Sequence, residues 1–319
     1  MAGTLGLLGA ALLTVPRLIE PDGPRGVELV ALTPFGLVPA VVLLVLAIGL
    51  AAIHRGAVRL LATVLALVGL VATALHVAWL SPLYVGSQAR GSGEQLVVMT
   101  QNFEYGDASS LARMVRDLRV DVLVLCDMGP EQWTAVEGSS IPADLPHLAD
   151  TEGGVVALSR YPMAEDRPMT LHGSGRSVRF TASPLGPVTL FALHPVQPYW
   201  PGVWDEDARR IVDIISSHLG GEPNPTIVAG DLNATLDNWP LRALQSLGLT
   251  DAVDAVNAGF QPTYPAGVQH RRWGISVPPL VQIDHVLVSR QLVVSDVKQV
   301  QTEGADHLGV VATLTLAMP

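Results

Sequence analysis

The chain is short of thiols, amines and aromatic rings. Its one cysteine, Cys126, excludes an internal disulfide and any cysteine-based zinc cluster, and no two histidines have the His-x-x-x-His spacing of a helical zinc site. Lys298 is the only lysine. Four of the 19 basic residues and three of the 29 acidic ones precede Ser87, so the remainder carries a net charge near −11. Nucleic-acid binding draws on a basic track that releases counterions, and this acidic remainder is a poor surface for it. Charged residues make up only 15% of the 319, against 49% hydrophobic, and mean hydropathy is +0.38. That balance is too apolar for an average soluble protein and places part of the chain in lipid.

The lipid-suited part is N-terminal. Leu29 to Ile53 and Leu60 to Leu80 are uncharged runs of 25 and 21 residues, which at ~1.5 Å per helical residue match the ~30 Å core of a bilayer. Ala2 to Val15 is also uncharged, but short, and Pro16 is expected to end it. It reads as a third span or as a signal-like stretch, although it lacks a positive n-region and an evident cleavage site. Residues 1–80 are thus expected to be a multi-pass membrane region, with 81–94 as a linker containing Pro82 and three glycines, and 95–319 as one domain with its own core. The loops 17–28 and 54–59 each hold two arginines, so the charge rule favours neither orientation.

Beyond the linker, apolar runs alternate with amphipathic stretches. Strands are expected at 95–101, 120–126, 154–159, 283–288, 292–297 and 309–316, with a hairpin joining 178–182 to 188–193. Helices are expected at 108–118 behind an Asp107 cap, from Pro130, at 205–219 and near 241–246. Many strands interspersed with helices suggest an α/β sandwich: two sheets face to face with helices outside.

Polar residues gather where the apolar runs stop. In the stretch Pro-Thr-Ile-Val-Ala-Gly-Asp-Leu-Asn-Ala from Pro225, Gly230 breaks a buried run and Asp231 and Asn233 follow at alternate positions, where extended side chains point the same way. Taken alone, this reads equally well as a turn capping a strand. Asn102, Asp127, His194, Asp284-His285 and Asp306-His307 also stand at run ends, and so many coincidences in one domain point to a shared site. Carboxylates and amides without thiols favour a hard cation, Mg²⁺ or Mn²⁺. His285 neighbours Asp284 on a strand and is expected to face the other side. Arg160, Tyr161 and the pair Arg271-Arg272 read as structural or solvated.

Asn102, Leu125-Cys-Asp127, Gly154 to Pro162, His194, Gly230-Asp-Leu-Asn233, Ile283-Asp-His285 and Asp306-His307, in this order across residues 95 to 316, resemble the endonuclease/exonuclease/phosphatase superfamily. The resemblance implies a four-layer α/β sandwich and metal-dependent cleavage of phosphoester bonds. It also implies roles. Asn102, Asp127 and Asp306 would serve the cation, Asp231 would orient or deprotonate the attacking water, and Asn233 would hold a phosphate oxygen. His307, oriented by Asp284, would contact the phosphate, and His194 would stabilise developing charge or assist the leaving group. Two positions depart from the family pattern. Asp127 stands where Glu is usual, shortening the arm by roughly 1.5 Å, one carbon–carbon bond, and Ala305 replaces a Ser before the Asp-His pair.

Apolar spans ahead of such a domain look most like the membrane-anchored bacterial branch that includes the VanJ type of glycopeptide-resistance proteins, which implies a domain outside the cytoplasmic membrane. The expected function is therefore a membrane-anchored phosphohydrolase acting on a lipid-linked phosphate or pyrophosphate, with a cell-wall carrier lipid as the leading candidate. The alternatives are an extracytoplasmic nuclease or phosphodiesterase, and a binding or sensing module of the same fold. Tyr199, Trp200 and Trp204, just after His194, read either as interfacial aromatic contacts or as loop packing.

Overall fold

The computed structural model describes residues 2–86, 89, 91–149, 154–182, 185–200, 202–221, 224–267, 271–272 and 275–318. The helices are α1 (Ala2–Ile19), α2 (Pro24–Ala31), α3 (Leu37–Ile53), α4 (Gly56–Tyr84), α5 (Ala108–Asp117), α6 (Pro130–Glu137), α7 (Ile141–Asp144), α8 (Val203–Gly221), α9 (Trp239–Ser246) and α10 (Ala252–Ala255). The strands are β1 (Gly91–Asn102), β2 (Val122–Cys126), β3 (His147–Ala149), β4 (Val155–Ser159), β5 (Met163–Pro168), β6 (Ser174–Ala182), β7 (Gly186–His194), β8 (Thr226–Asp231), β9 (Leu249–Asp251), β10 (Arg271–Arg272), β11 (Ile275–Ser276), β12 (Asp284–Ser289), β13 (Leu292–Val300) and β14 (Gly309–Ala317).

One six-stranded sheet runs β13-β14-β1-β2-β4-β3 and the other β5-β6-β7-β8-β12-β9. They pack face to face because side chains alternate along each strand. Val122, Val124 and Cys126 of β2 meet Ile227 and Ala229 of β8 between the sheets. Leu123 and Leu125 turn outward onto Leu111, Ala112 and Val115 of α5. Val228 turns outward onto Ile211 and Ile215 of α8. The result is the expected four-layer sandwich. Asp107 caps α5, its Oδ1 accepting from the Ser110 N–H at 2.7 Å.

Each sheet contains one parallel pair, β1/β2 and β7/β8. The neighbours β14 and β12 run antiparallel to them, with Thr100 opposite Val310 and Asp231 opposite Asp284. C-terminal ends of four strands and N-terminal ends of two others therefore share one rim.

The N-terminal helices differ from expectation in their limits. Pro16 sits inside α1, which continues to Ile19; a single missing N–H near a helix end is tolerated when the last turn is otherwise bonded, and the Glu20 N–H reaches Pro16 O at 2.7 Å. The run expected at 29–53 is divided: α2 starts on Pro24, and a 3₁₀ turn at Thr33–Gly36, with Pro34 inside it, separates α2 from α3. Thr33–Ile53 and Gly56–Tyr84 are long and apolar enough to cross a membrane. α4 outruns its expected end through Pro82 to Tyr84, and β1 begins at Gly91, which shortens the expected linker at both ends. Ser87, Gln88 and Arg90 of that linker, and Ser183-Pro184 of the expected hairpin turn, lie outside the described residues.

α3 and α4 approach closely where Gly69 lies against the backbone of Leu44, a place with no room for a Cβ. Their outer faces expose Val38, Val45, Ile48, Leu60, Leu61 and Val71. The helices also grip the sandwich. Arg17 pairs with Asp237 at 2.7 Å and lies over the Trp79 ring, Glu20 pairs with Arg242, Asn238 donates to Val27 O at 3.1 Å, and the Gly259 N–H donates to Leu83 O at 2.8 Å.

Gly230 sets the spacing of β7 and β8 at the rim. Its φ is 150°, and a Cβ there would stand 1.8 Å from Leu193 O. Gly230→Ala is expected to cost at least about 2 kcal/mol in chemical denaturation; a loss under about 0.5 kcal/mol would show that the two strands separate locally without penalty.

Candidate active site

The rim brings together all eight residues expected to form a site. Asn102 ends β1 and donates from Nδ2 to Asp231 Oδ2 at 3.1 Å, joining one sheet to the other. Asp231 ends β8 and is 2% exposed, with the Asn233 N–H donating to its Oδ1 at 2.9 Å. His194 ends β7, its Nε2 3.7 Å from Asp231 Oδ2. His307, before β14, places Nε2 3.9 Å from that same oxygen. On its other side, His307 Nδ1 lies 2.8 Å from Asp284 Oδ2, and Asp284, the first residue of β12, is fully buried. Asp127 follows β2 in a left-handed conformation, φ 58°, which Asp adopts more readily than most residues.

Asn102, Asp127, Asp231, Asn233, Asp306 and His307 all line one cavity of about 390 Å³. His194 and Asp284 stand behind this lining as neighbours of Asp231 and His307. Asn233 is partly committed: its Nδ2 donates to Pro195 O at 2.9 Å, leaving one amide hydrogen for a ligand.

Charge dominates this cavity. Burial opposes protonation of His307, but Asp284, hydrogen-bonded to it, and then Asp231 and Asp306 push its pKa up to about 10. Burial raises the Asp284 carboxyl while the His307 charge opposes that rise. His307 is therefore an imidazolium held by a carboxylate. Burial also pushes the Cys126 thiol far up, with Asp231 adding to it. That thiol bridges the sheets as a weak hydrogen-bonding group, 3.5 Å from Leu193 O and 3.4 Å from the Asp231 nitrogen.

Sequence reasoning missed three contributors. Glu104 lines the cavity, and its N–H donates to Asn102 Oδ1 at 3.1 Å; the signal was its alternate spacing from Asn102 at a strand end. Tyr264 packs its ring 4.7 Å from that of His307. The third is α2, whose Val27, Glu28 and Ala31 form a wall with Leu32 beside them. No motif marked these residues.

The carboxyl groups of Glu104, Asp127 and Asp306 act together on the Tyr105 hydroxyl, whose pKa Glu104 raises most. So many acidic oxygens facing one space repel one another unless a cation lies among them. The donor set, carboxylates with an amide and no thiolate, fits a hard divalent ion. Asp231, Asp284 and His307 also offer atoms within 4.8 Å of one another. In that trio His307 Nδ1 is already committed to Asp284 Oδ2 at 2.8 Å, which leaves Nε2 as its free ring nitrogen toward Asp231.

The sequence model of the endonuclease/exonuclease/phosphatase family matches residues 99–307, which contain every residue placed at the rim. The chain belongs to this family. It is thereby a metal-dependent phosphoester hydrolase. The structure of a family member from Beutenbergia cavernae DSM 12333 is similar over 70% of this chain and 72% of its own, with 22% identity and a TM-score of 0.54. A family protein from Bacteroides thetaiotaomicron matches 72% of this chain and 100% of its own at 14% identity and TM-score 0.52. TDP2 from D. rerio, complexed with single strand DNA product, matches 70% and 100% at 13% identity and TM-score 0.52. At these identities the likeness speaks to the fold. No match was found among curated proteins.

His285 faces away from the site, as its alternation with Asp284 requires. Its Nδ1 lies 2.8 Å from Asp251 Oδ2 and its Nε2 2.9 Å from Ala234 O, so both ring nitrogens meet acceptors. Arg160 is structural too, paired with Asp121 at 2.9 Å. Burial opposes charge on His285, and the Asp251 carboxylate more than offsets this, leaving its pKa raised above 6.5. A raised folded pKa stabilises fully below about 6.5, and the contribution disappears as pH climbs through the folded value. Asp251→Asn is therefore expected to cost about 3–5 kcal/mol at pH 6 and less at pH 9. Urea melts showing an equal cost at both pH values would mean that His285 is neutral throughout.

Proposed function

We propose that this protein is a membrane-anchored, divalent-metal-dependent phosphohydrolase acting on a lipid-linked phosphate or pyrophosphate at the outer face of the membrane. The observation that carries the reading is the α2 wall. Val27, Glu28, Ala31 and Leu32 immediately precede the two helices long and apolar enough to cross a membrane, and they line the same cavity as Asp231 and His307. A phosphate whose organic part stays in the leaflet meets a lining that is both apolar, with Val27, Ala31, Leu32, Leu280 and Val281, and charged, with Asp127, Asp231, Asp306 and His307. The outer location is supported by resemblance to the VanJ-type branch, which also makes a cell-wall carrier lipid the leading substrate. The acidic surface argues against a nuclease.

Asn102, Asp127 and Asp306, with Glu104 beside them, would hold the cation, which when bound neutralises charge on the phosphate oxygens. Asp231 accepts a proton from the attacking water, the His307 imidazolium donates to a phosphate oxygen, and Asp284 keeps that ring oriented. His194 stands next to Asp231, where it can pass a proton to the leaving oxygen. Asn233 has one free amide hydrogen for a phosphate oxygen.

Asp231→Asn and His307→Ala are each expected to lower phosphate release from a prenyl diphosphate by ~10² to 10⁴ while circular dichroism stays native; wild-type turnover by either folded variant would remove that residue from the chemistry. Asp127→Glu lengthens the arm toward the acidic wall. Titration with Mn²⁺, followed by paramagnetic resonance, should show binding at least as tight as wild type, whereas markedly weaker binding would place the ion elsewhere.

A further inference from the structure

A second groove, of about 440 Å³, runs beside the catalytic cavity and shares Val27, Pro198 and Asn238 with it. Its floor is aromatic. Trp204 and Trp239 meet edge to face at 6.4 Å, and Trp200 stands at the rim, 65% exposed. The indole N–H groups of the two floor residues are already used: Trp204 donates to Asn233 O at 3.1 Å and Trp239 to Asp205 Oδ1 at 3.0 Å. Trp204 is buried and Arg209 lies over the Trp239 ring, so the groove offers aromatic surface chiefly at Trp200 and no indole donor from its floor. Around them stand three carboxylates, Glu20, Asp22 and Asp205, and one guanidinium, Arg209.

These features restrict the occupant. A hydrocarbon chain would have to desolvate the charged rim without replacing its hydrogen bonds. A second phosphate would face more acidic than basic groups. An organic cation would compete with Arg209, which pairs with Asp205 at 2.7 Å and already lies 5.3 Å from the Trp239 ring centre. A neutral, hydroxyl-rich ring fits on both counts, since its apolar face packs on indole and its hydroxyls donate to carboxylates. We propose that this groove binds the saccharide head group of a lipid-linked phosphoester whose phosphate occupies the neighbouring cavity. The inference rests on the phosphohydrolase reading and narrows it: the phosphorus carries a head group on one side and a lipid on the other, so the substrate is a diester or a substituted diphosphate rather than a terminal monoester.

The test uses the full-length protein in nanodiscs with EDTA present, which separates binding from turnover. Tryptophan fluorescence is titrated with a short prenyl diphosphate, with the same compound carrying N-acetylglucosamine, and with a prenyl phosphocholine. The sugar-bearing ligand is expected to bind about tenfold more tightly than the bare diphosphate, the size of one good aromatic contact. Trp200→Ala, which alters an exposed side chain, should bring that ratio close to one. Equal affinities, a ratio unmoved by Trp200→Ala, or a preference for phosphocholine would each overturn the proposal. Turnover of the bare diphosphate with Mg²⁺ and no sugar preference would defeat the inference and keep the phosphohydrolase reading. Sugar-dependent binding without turnover of any ligand would keep the groove and defeat that reading, and no binding of any ligand would defeat both.

Discussion

The Asp231 carboxylate is where the two sheets meet, and the arrangement of the rim depends on satisfying its oxygens in a buried place. A carboxylate that is 2% exposed requires hydrogen bonds or opposite charge. It obtains them from both layers: Asn102 Nδ2 from β1, the Asn233 N–H from its own turn, and the His307 ring, just before β14, whose Nε2 stands 3.9 Å away. The Cys126 thiol of β2 meets its backbone nitrogen from below. Gly230 is the structural condition for this, because only a residue without a Cβ allows β8 to lie so near Leu193 O at that point. One carboxylate thus links sheet packing, local charge and the lining of the rim cavity.

The helical region is an extension of the same site. Small residues let α3 and α4 pack closely, leaving large apolar side chains on the outside, where a bilayer would cover them at no cost. The polar ends of this region are pinned to the sandwich by Arg17–Asp237 and Glu20–Arg242. Those pins fix α2 against the loop after β8 and against the Phe191 and Leu193 cluster that Val27 joins. The cavity is therefore completed by a segment that immediately precedes the two long apolar helices.

Much of the architecture was legible because alternation of side chains is a strong signal. The buried runs Val122–Cys126, Val155–Ser159 and Thr226–Asp231 are strands, and Asp127 and Asp231, at the ends of the first and the third, line the cavity. His285 could be set aside for the same reason, since a neighbour of an inward residue on a strand faces outward. Less regular features were hidden. β5, with the sequence Met-Ala-Glu-Asp-Arg-Pro, is largely exposed and carries no apolar pattern, and β3 and β9 are three residues each. Pro16 and Pro82 looked like helix ends, yet both helices continue past them where tertiary packing outweighs the lost hydrogen bond. Glu104 carried only its alternate spacing from Asn102, and the α2 wall matters for what lies across the cavity, which no local pattern records.

Attack of water on phosphorus, directed by Asp231, is the central step of the proposed reaction. The most direct measurement is turnover of a prenyl diphosphate carrying N-acetylglucosamine by the full-length protein in heavy-oxygen water, with mass spectrometry of both products. Hydrolysis at phosphorus predicts a single heavy oxygen in a newly formed phosphate group and none in the prenyl alcohol position. Label at the prenyl carbon, or products without label, would contradict it.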